Sequence, residues 1–141
     1  MQELFGQTEI DFLLDLLLAL VCGMIIGIER EHKRKPAGVS TQTLVIGAAM
    51  MFSFISKNVG GDPTRIAAQI VSGVGFLGAG LILRSASTEK ISNVTTAASI
   101  WYSSAVGMAL GFNFHLLAVI ATIYAVIINR IPSFKRHTSD H

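Results

Sequence analysis

Five long apolar stretches fill most of the sequence, and short breaks that hold nearly all the charged residues separate them. The hydrocarbon core of a bilayer is about 30 Å thick, and one helix needs roughly 20 mostly apolar residues to cross it. The stretches approach this length and run over residues 10–28, 41–56, 66–83, 95–112 and 114–131. We therefore predict an all-α fold: a polytopic membrane helix bundle of about five transmembrane helices within residues 1–131, followed by a short cytoplasmic tail over residues 132–141.

The composition agrees with this class and excludes others. Hydrophobic residues make up 51% of the 141 residues and charged residues only 14%, whereas soluble domains average roughly 25% charged residues. Such scarce charge argues against a disordered chain and against nucleic acid as a partner. The single cysteine, Cys22, excludes an internal disulfide and a thiolate zinc site.

The positive charges in the breaks predict the orientation, because cytoplasmic loops carry an excess of Lys and Arg. Five crossings with an outer N-terminus place nine of the 11 Lys and Arg residues on the cytoplasmic side and two, Lys57 and Arg65, outside. The second stretch is the shortest, and a re-entrant segment there is the alternative. That alternative nearly abolishes the charge bias. We therefore predict five crossings with a cytoplasmic C-terminus.

Glycines recur at spacings typical of helix interfaces. Gly73, Gly75 and Gly78 spell G-x-G-x-x-G, but the dinucleotide-binding version of this motif requires a βαβ unit. Small residues instead let transmembrane helices approach closely. The glycines assigned to helix packing or dimerisation are Gly23, Gly27, Gly73, Gly75, Gly78, Gly80, Gly107 and Gly111. The alternative is a locally broken third helix whose carbonyls line a cavity.

Polar residues gather near the predicted outer border. Asp11 and Asp15 share one helix face, and Asp15 lies about 7 Å inside the border at 1.5 Å per residue. A carboxylate in hydrocarbon needs a partner or a wet cavity. Asp62, Arg65 and Gln69 lie at the same border, and we predict that Arg65 pairs with Asp15 or Asp62. The layer is either a polar link between helices or the outer mouth of a cation-binding site.

A second polar layer is predicted at the cytoplasmic border. It comprises Glu29, Arg30, Glu31, Arg84, Asn93, Thr95 and Thr96. Oxygen ligands of this kind can coordinate Mg²⁺, but four basic residues nearby favour a salt-bridged collar instead. The basic run over residues 30–35 also suits anionic lipid headgroups.

The remaining polar residues show no catalytic pattern. The histidines at positions 32, 115, 137 and 141 lack metal-ligand spacing, and we predict that they are solvated. No Ser/His/Asp or Cys/His arrangement is apparent. We therefore predict a protein that is not an enzyme, with no cofactor unless Mg²⁺ binds one of the polar layers.

Four segments of the sequence resemble the MgtC/SapB family of membrane proteins. They are GIERE at residues 27–31, KPAG at 35–38, the block over 62–80 and TTAASIW at 95–101. The resemblance extends over roughly residues 10–130. It implies a multi-pass protein of a bacterial-type inner membrane, tied to growth in low magnesium, stress adaptation and, in pathogens, virulence-related survival inside host cells. The sequence departs from the family at Ser40-Thr41-Gln42, where members commonly carry Arg-Thr-His, and at Asn93-Val94 in place of Gly-Leu.

The resemblance also implies a function. In the best-known member the implied role is regulation of other membrane machinery, including the proton-driven ATP synthase. Virulence-linked members continue into a cytosolic ACT-like domain, which we expect this chain to lack. We predict a non-enzymatic homodimer that modulates magnesium or cation homeostasis or a partner membrane complex. The alternatives are a membrane assembly module, and a small magnesium or cation transporter or channel that uses Asp15, Glu29, Asp62 and Gln69.

Overall fold

The computed structural model describes residues 6–85 and 93–131, apart from the side chains of Arg84 and Ser85. Within these residues the chain forms five helices and no strand. The helices are α1 (Gln7–His32), α2 (Val39–Val59), α3 (Thr64–Ser85), α4 (Val94–Gly111) and α5 (His115–Arg130). The all-α prediction is confirmed. The predicted tail over residues 132–141 lies outside the described residues.

Three helices are long and apolar enough to cross a membrane: α1, α2 and the part of α3 from Thr64 to Leu83. The 21 residues of α2 extend about 31 Å at 1.5 Å per residue. A re-entrant segment reverses within the membrane, whereas α2 is one unbroken helix, so that alternative does not hold. The helices α4 and α5 have 18 and 16 residues. That they cross the membrane stays a prediction, as does the orientation of the bundle.

The third helix is continuous from Thr64 to Ser85, so the alternative of a locally broken helix is wrong. Its start follows from the residues before it. Asp62 accepts hydrogen bonds from the backbone N–H and the hydroxyl of Thr64, at 2.9 and 2.6 Å, and so satisfies an amide that the helix leaves without a partner.

The core lies where α4 meets α1 and α2. Its largest fully buried apolar side chains are Ile26 of α1, Ile46 and Met50 of α2, and Val106 and Leu110 of α4. The fourth helix contacts each of the other four, whereas α1 and α3 do not touch within the described residues. Most other large apolar side chains are exposed on the outside of the bundle, as expected of a surface that faces lipid rather than water.

Glycines of α1 and α4 allow both helices to pack directly on the backbone of α2. A Cβ added at Gly23 or Gly27 of α1 falls less than 3.0 Å from atoms of α2. One added at Gly107 or Gly111 of α4 also falls less than 3.0 Å from atoms of α2. Real Cβ atoms essentially never approach other atoms so closely. These four positions therefore fix how α1, α2 and α4 pack.

The glycines of α3 have different surroundings. A Cβ added at Gly78 lies 3.4 Å from the Cβ of Ala97 on α4, which is ordinary contact. At Gly73, Gly75 and Gly80 it meets no described atom within 4 Å. All three positions are therefore open within the described chain, Gly73 and Gly80 on one side of α3 and Gly75 on nearly the opposite side.

Candidate functional site

The outer polar layer is built on a contact between α1 and α5. Asp15 is 2% exposed, and its Oδ1 lies 2.7 Å from Nε2 of His115, the first residue of α5. Its Oδ2 is buried and has no hydrogen-bond partner among the described residues. Two predictions were wrong here: Arg65 is not the partner of Asp15, and His115, although its side chain is 47% exposed, is not merely solvated.

A cavity of about 490 Å³ opens beside this pair. Asp11, Asp15, Asn113 and His115 supply its polar lining, and leucines and Val21 the rest. Both aspartates therefore face the same space, as their spacing predicted, although Asp11 also accepts a hydrogen bond from Gln7. Among the described residues no group of three or more His, Cys, Asp or Glu side chains is arranged to hold a metal ion.

The other predicted outer residues lie apart from Asp15, in a groove between α2 and α3. Asp62, Arg65 and Gln69 line its polar end. The two hydrogen bonds from Thr64 hold the pKa of the Asp62 carboxyl below its ordinary value, so Asp62 stays ionised at neutral pH. The partner of Asp62 is thus Thr64 and not Arg65, which is exposed.

The inner polar layer is built on Arg30. This side chain is 2% exposed and donates hydrogen bonds to Oγ1 of Thr96 on α4, at 2.5 Å, and to the carbonyl of Pro36, at 3.2 Å. One guanidinium therefore joins α1, α4 and the connection between α1 and α2. Charge-assisted hydrogen bonds of this kind are stronger than neutral ones.

The side chain of Glu29, next to Arg30, is buried, and its carboxylate has an ion-pair partner but no hydrogen bond from a described residue. Lys33 places its Nζ 3.4 Å from Oε1 of Glu29, which is an ion pair, yet within the described part of the chain neither carboxylate oxygen has a hydrogen-bond partner. Lys33 also donates to the carbonyl of Asn129 on α5. The end of α1 is thereby tied to the end of α5.

The structure separates Glu31 and Thr95 from this cluster. Glu31 accepts a hydrogen bond from the backbone N–H of Val39, at 2.9 Å, and so satisfies the first amide of α2. Thr95 faces away from Arg30 and lines a small cavity of about 160 Å³ between α4 and α5. The Arg84 side chain lies outside the described residues.

Gln42 is a buried polar residue that the sequence analysis did not single out. It is fully buried, accepts a hydrogen bond from Ser103 at 2.5 Å, and donates to Ser99 and to the carbonyl of Ala37 at 3.2 Å each. It links α2 to α4 at one of the positions where the chain departs from the family pattern. The available signal was an amide one turn inside an apolar helix, since a buried amide requires partners.

The Asp15–His115 contact is testable by stability. We expect His115→Leu to lower the free energy of unfolding by about 1–3 kcal/mol, because it leaves both oxygens of Asp15 buried without partners. The double variant Asp15→Leu/His115→Leu should recover most of that loss, since an apolar pair replaces a polar one. Unfolding in detergent micelles measures both. A double variant less stable than His115→Leu would contradict the assignment.

The sequence matches the profile of the MgtC family over residues 16–136. It is 40% identical to SapB of Bacillus subtilis over 83% of this chain and 54% of that protein. It is 42% identical to MgtC of Brucella abortus (strain 2308) over 80% and 48%. It is 37% identical to YhiD of Escherichia coli K12, which is provisionally called a magnesium transporter, over 84% and 59%.

The chain thus spans about half the length of the curated relatives it matches. No solved structure matches it. The family match nevertheless covers α2 to α5 in full and most of α1, including the residues of the inner polar layer, whereas Asp11 and Asp15 of the outer layer precede the matched residues. The chain belongs to the MgtC family of membrane proteins.

Proposed function

We propose that this protein is a non-enzymatic, multi-pass protein of a bacterial-type inner membrane that modulates magnesium or cation homeostasis by acting on a partner membrane complex. One observation carries the proposal. Along α1 the two polar layers are separated by Leu16–Ile28, which holds no Asp, Glu, Lys, Arg or His. That gap extends about 20 Å, and an ion that crossed it would meet mostly apolar side chains and hydrogen-bonded polar ones. The exception is the hydroxyl of Thr43 beside Gly23, which is buried without a hydrogen-bond partner among the described residues.

Four buried or partly buried polar residues between the layers support this proposal because their side chains are hydrogen-bonded within the bundle. Gln42, Ser99 and Ser103 satisfy one another, and the hydroxyl of Thr122 donates to the carbonyl of Ala118 in its own helix. Polar groups that are already paired stabilise helix packing, and they offer few free ligands to a passing ion. The name of the Escherichia coli relative connects the family to magnesium.

The partner that the family resemblance suggests is the proton-driven ATP synthase. In inverted membrane vesicles from a bacterium that expresses this chain, we expect slower ATP-driven proton pumping than in vesicles without it, at equal ATP synthase content. Quenching of a pH-sensitive dye measures the pumping rate. Equal rates in the two preparations would contradict this choice of partner.

A second candidate function is a small magnesium or cation transporter or channel. It is favoured by three buried oxygens that have no hydrogen-bond partner in residues 6–85 and 93–131: Oδ2 of Asp15 and both carboxylate oxygens of Glu29. Unpaired buried carboxylate oxygens are costly, and a bound cation is one way to satisfy them. Magnesium flux into proteoliposomes separates the two functions.

The open glycines of α3 support a homodimer, in which α3 of one copy packs against a second copy. We expect Gly75→Leu to weaken self-association at least tenfold without loss of fold, because its side chain enters open space. Gly47→Leu on α2, which also enters open space, is the matched control and should not change it. Energy transfer between labelled copies in liposomes measures the association. Equal association of the two variants would place the interface elsewhere.

A further inference from the structure

A cavity of about 490 Å³ between α1 and α5 has no part in the function proposed above. It lies at the end of the bundle where both helices end. Ile25, Ile28 and Val126 form an apolar wall, and Ile25 and Ile28 are about half exposed. The remaining lining residues are polar and stand at the rim: Glu29, His32, Lys33 and Arg130.

The rim carries a defined charge. Lys33 is held in place by the carbonyl of Asn129 and by Glu29, and Arg130 is the exposed last residue of α5. Two cations against the single carboxylate of Glu29 leave one net positive charge. One phosphate diester neutralises that charge.

Glu29 adds a second requirement. Its side chain is 7% exposed and lines the cavity, and none of the described residues donates a hydrogen bond to either of its oxygens. A phosphate alone does not supply one, because a phosphate diester only accepts hydrogen bonds. A ligand that carries hydroxyl groups beside its phosphate satisfies the cations and the carboxylate together.

We propose that this cavity binds an anionic phospholipid of the phosphatidylglycerol class. Its phosphate contacts Lys33 and Arg130, a headgroup hydroxyl donates to Glu29, and an acyl chain lies along Ile25 and Val126. The apolar wall is what selects a membrane lipid over a free phosphate compound. This site does not depend on the partner complex or on transport.

The test is native mass spectrometry of the full chain in detergent, titrated with three lipids of equal chain length: phosphatidylglycerol, phosphatidylethanol and phosphatidylcholine. Phosphatidylethanol has the charge of phosphatidylglycerol but no hydroxyl group. We expect phosphatidylglycerol to bind at least tenfold more tightly than phosphatidylcholine and at least threefold more tightly than phosphatidylethanol. Equal binding of phosphatidylglycerol and phosphatidylethanol would overturn the role of Glu29, and equal binding of all three would overturn the site.

Two exposed variants place the site on the protein. Arg130→Ala should weaken phosphatidylglycerol binding about fivefold, the contribution of one basic residue near an anionic lipid. Lys57→Ala removes an exposed cation at the other end of α2 and should leave the affinity unchanged. If the two variants weaken binding equally, the lipid binds by overall charge and not in this cavity.

Discussion

Gly107→Ala is expected to lower the free energy of unfolding by about 3 kcal/mol or more, at the upper end of what overpacking costs. The added Cβ lies less than 3.0 Å from the carbonyl oxygen of Ile46 and from the Cβ of Ala49. The obstacle includes backbone of α2, which cannot rotate away as a flexible side chain can. The helices must therefore separate, and the core residues Val106 and Leu110 lose their packing against α2. Unfolding of the purified protein in detergent micelles measures the change.

Gly47→Ala is the matched control for Gly107→Ala. Gly47 lies in the middle of α2, and a Cβ added there meets no described atom within 4 Å. Because alanine is a better helix former than glycine by about 1 kcal/mol, this variant should be as stable as the wild type or slightly more stable. Two variants of equal stability would show that α4 does not approach α2 as closely as described.

Arg30→Ala is expected to have an effect of comparable size, a loss of about 3–5 kcal/mol. The substitution removes the donor to Thr96 and to the carbonyl of Pro36. It also leaves the neighbouring buried carboxylate of Glu29 with Lys33 as its only nearby cation. Breaking a buried charge network by removing one partner is costly for this reason. The midpoint of denaturant or thermal unfolding measures the loss.

Two further variants isolate the contribution of the hydrogen bond. Thr96→Val preserves the shape of the side chain and should cost about 1.5–3 kcal/mol, the range for a hydrogen bond to a charged group. In the Arg30→Ala background it should cost much less, because its partner is already absent. Lys35→Ala, an exposed cation in the same connection, should change stability by less than about 0.5 kcal/mol. An Arg30→Ala variant as stable as Lys35→Ala would contradict the inner layer as a structural collar.

Features that depend on the local sequence were predictable. The five helices follow from the lengths of the apolar stretches and from Pro36, Gly38 and the Asp62-Pro63 pair, which break the chain between them. The pairs Gly23/Gly27 and Gly107/Gly111 lie on close-packed faces because residues four apart share one side of a helix. Neither inference requires knowledge of which helices are neighbours.

The predicted pairing of Arg65 with Asp15 failed because it does require knowledge of which helices are neighbours. Arg65 was an electrostatically sensible partner for Asp15, because both lie near the same predicted border. But α1 packs against α2, α4 and α5 and does not touch α3 within the described residues, so Arg65 cannot reach it. His115 can, because α5 begins at the same end of the bundle. Which helices become neighbours depends on how side chains fit across the whole bundle. The spacing of charges along the sequence does not reveal which helices those are.

We propose that this protein modulates magnesium homeostasis without conducting the ion, and magnesium flux into proteoliposomes distinguishes this role from transport. The full chain, the Asp15→Asn variant and protein-free liposomes are compared with an enclosed magnesium-sensitive dye, and an ionophore added at the end gives the full response. We predict that all three preparations admit Mg²⁺ at the same slow rate. Magnesium entry that requires the chain and is abolished by Asp15→Asn would contradict the modulating role and show that the protein is a magnesium transporter.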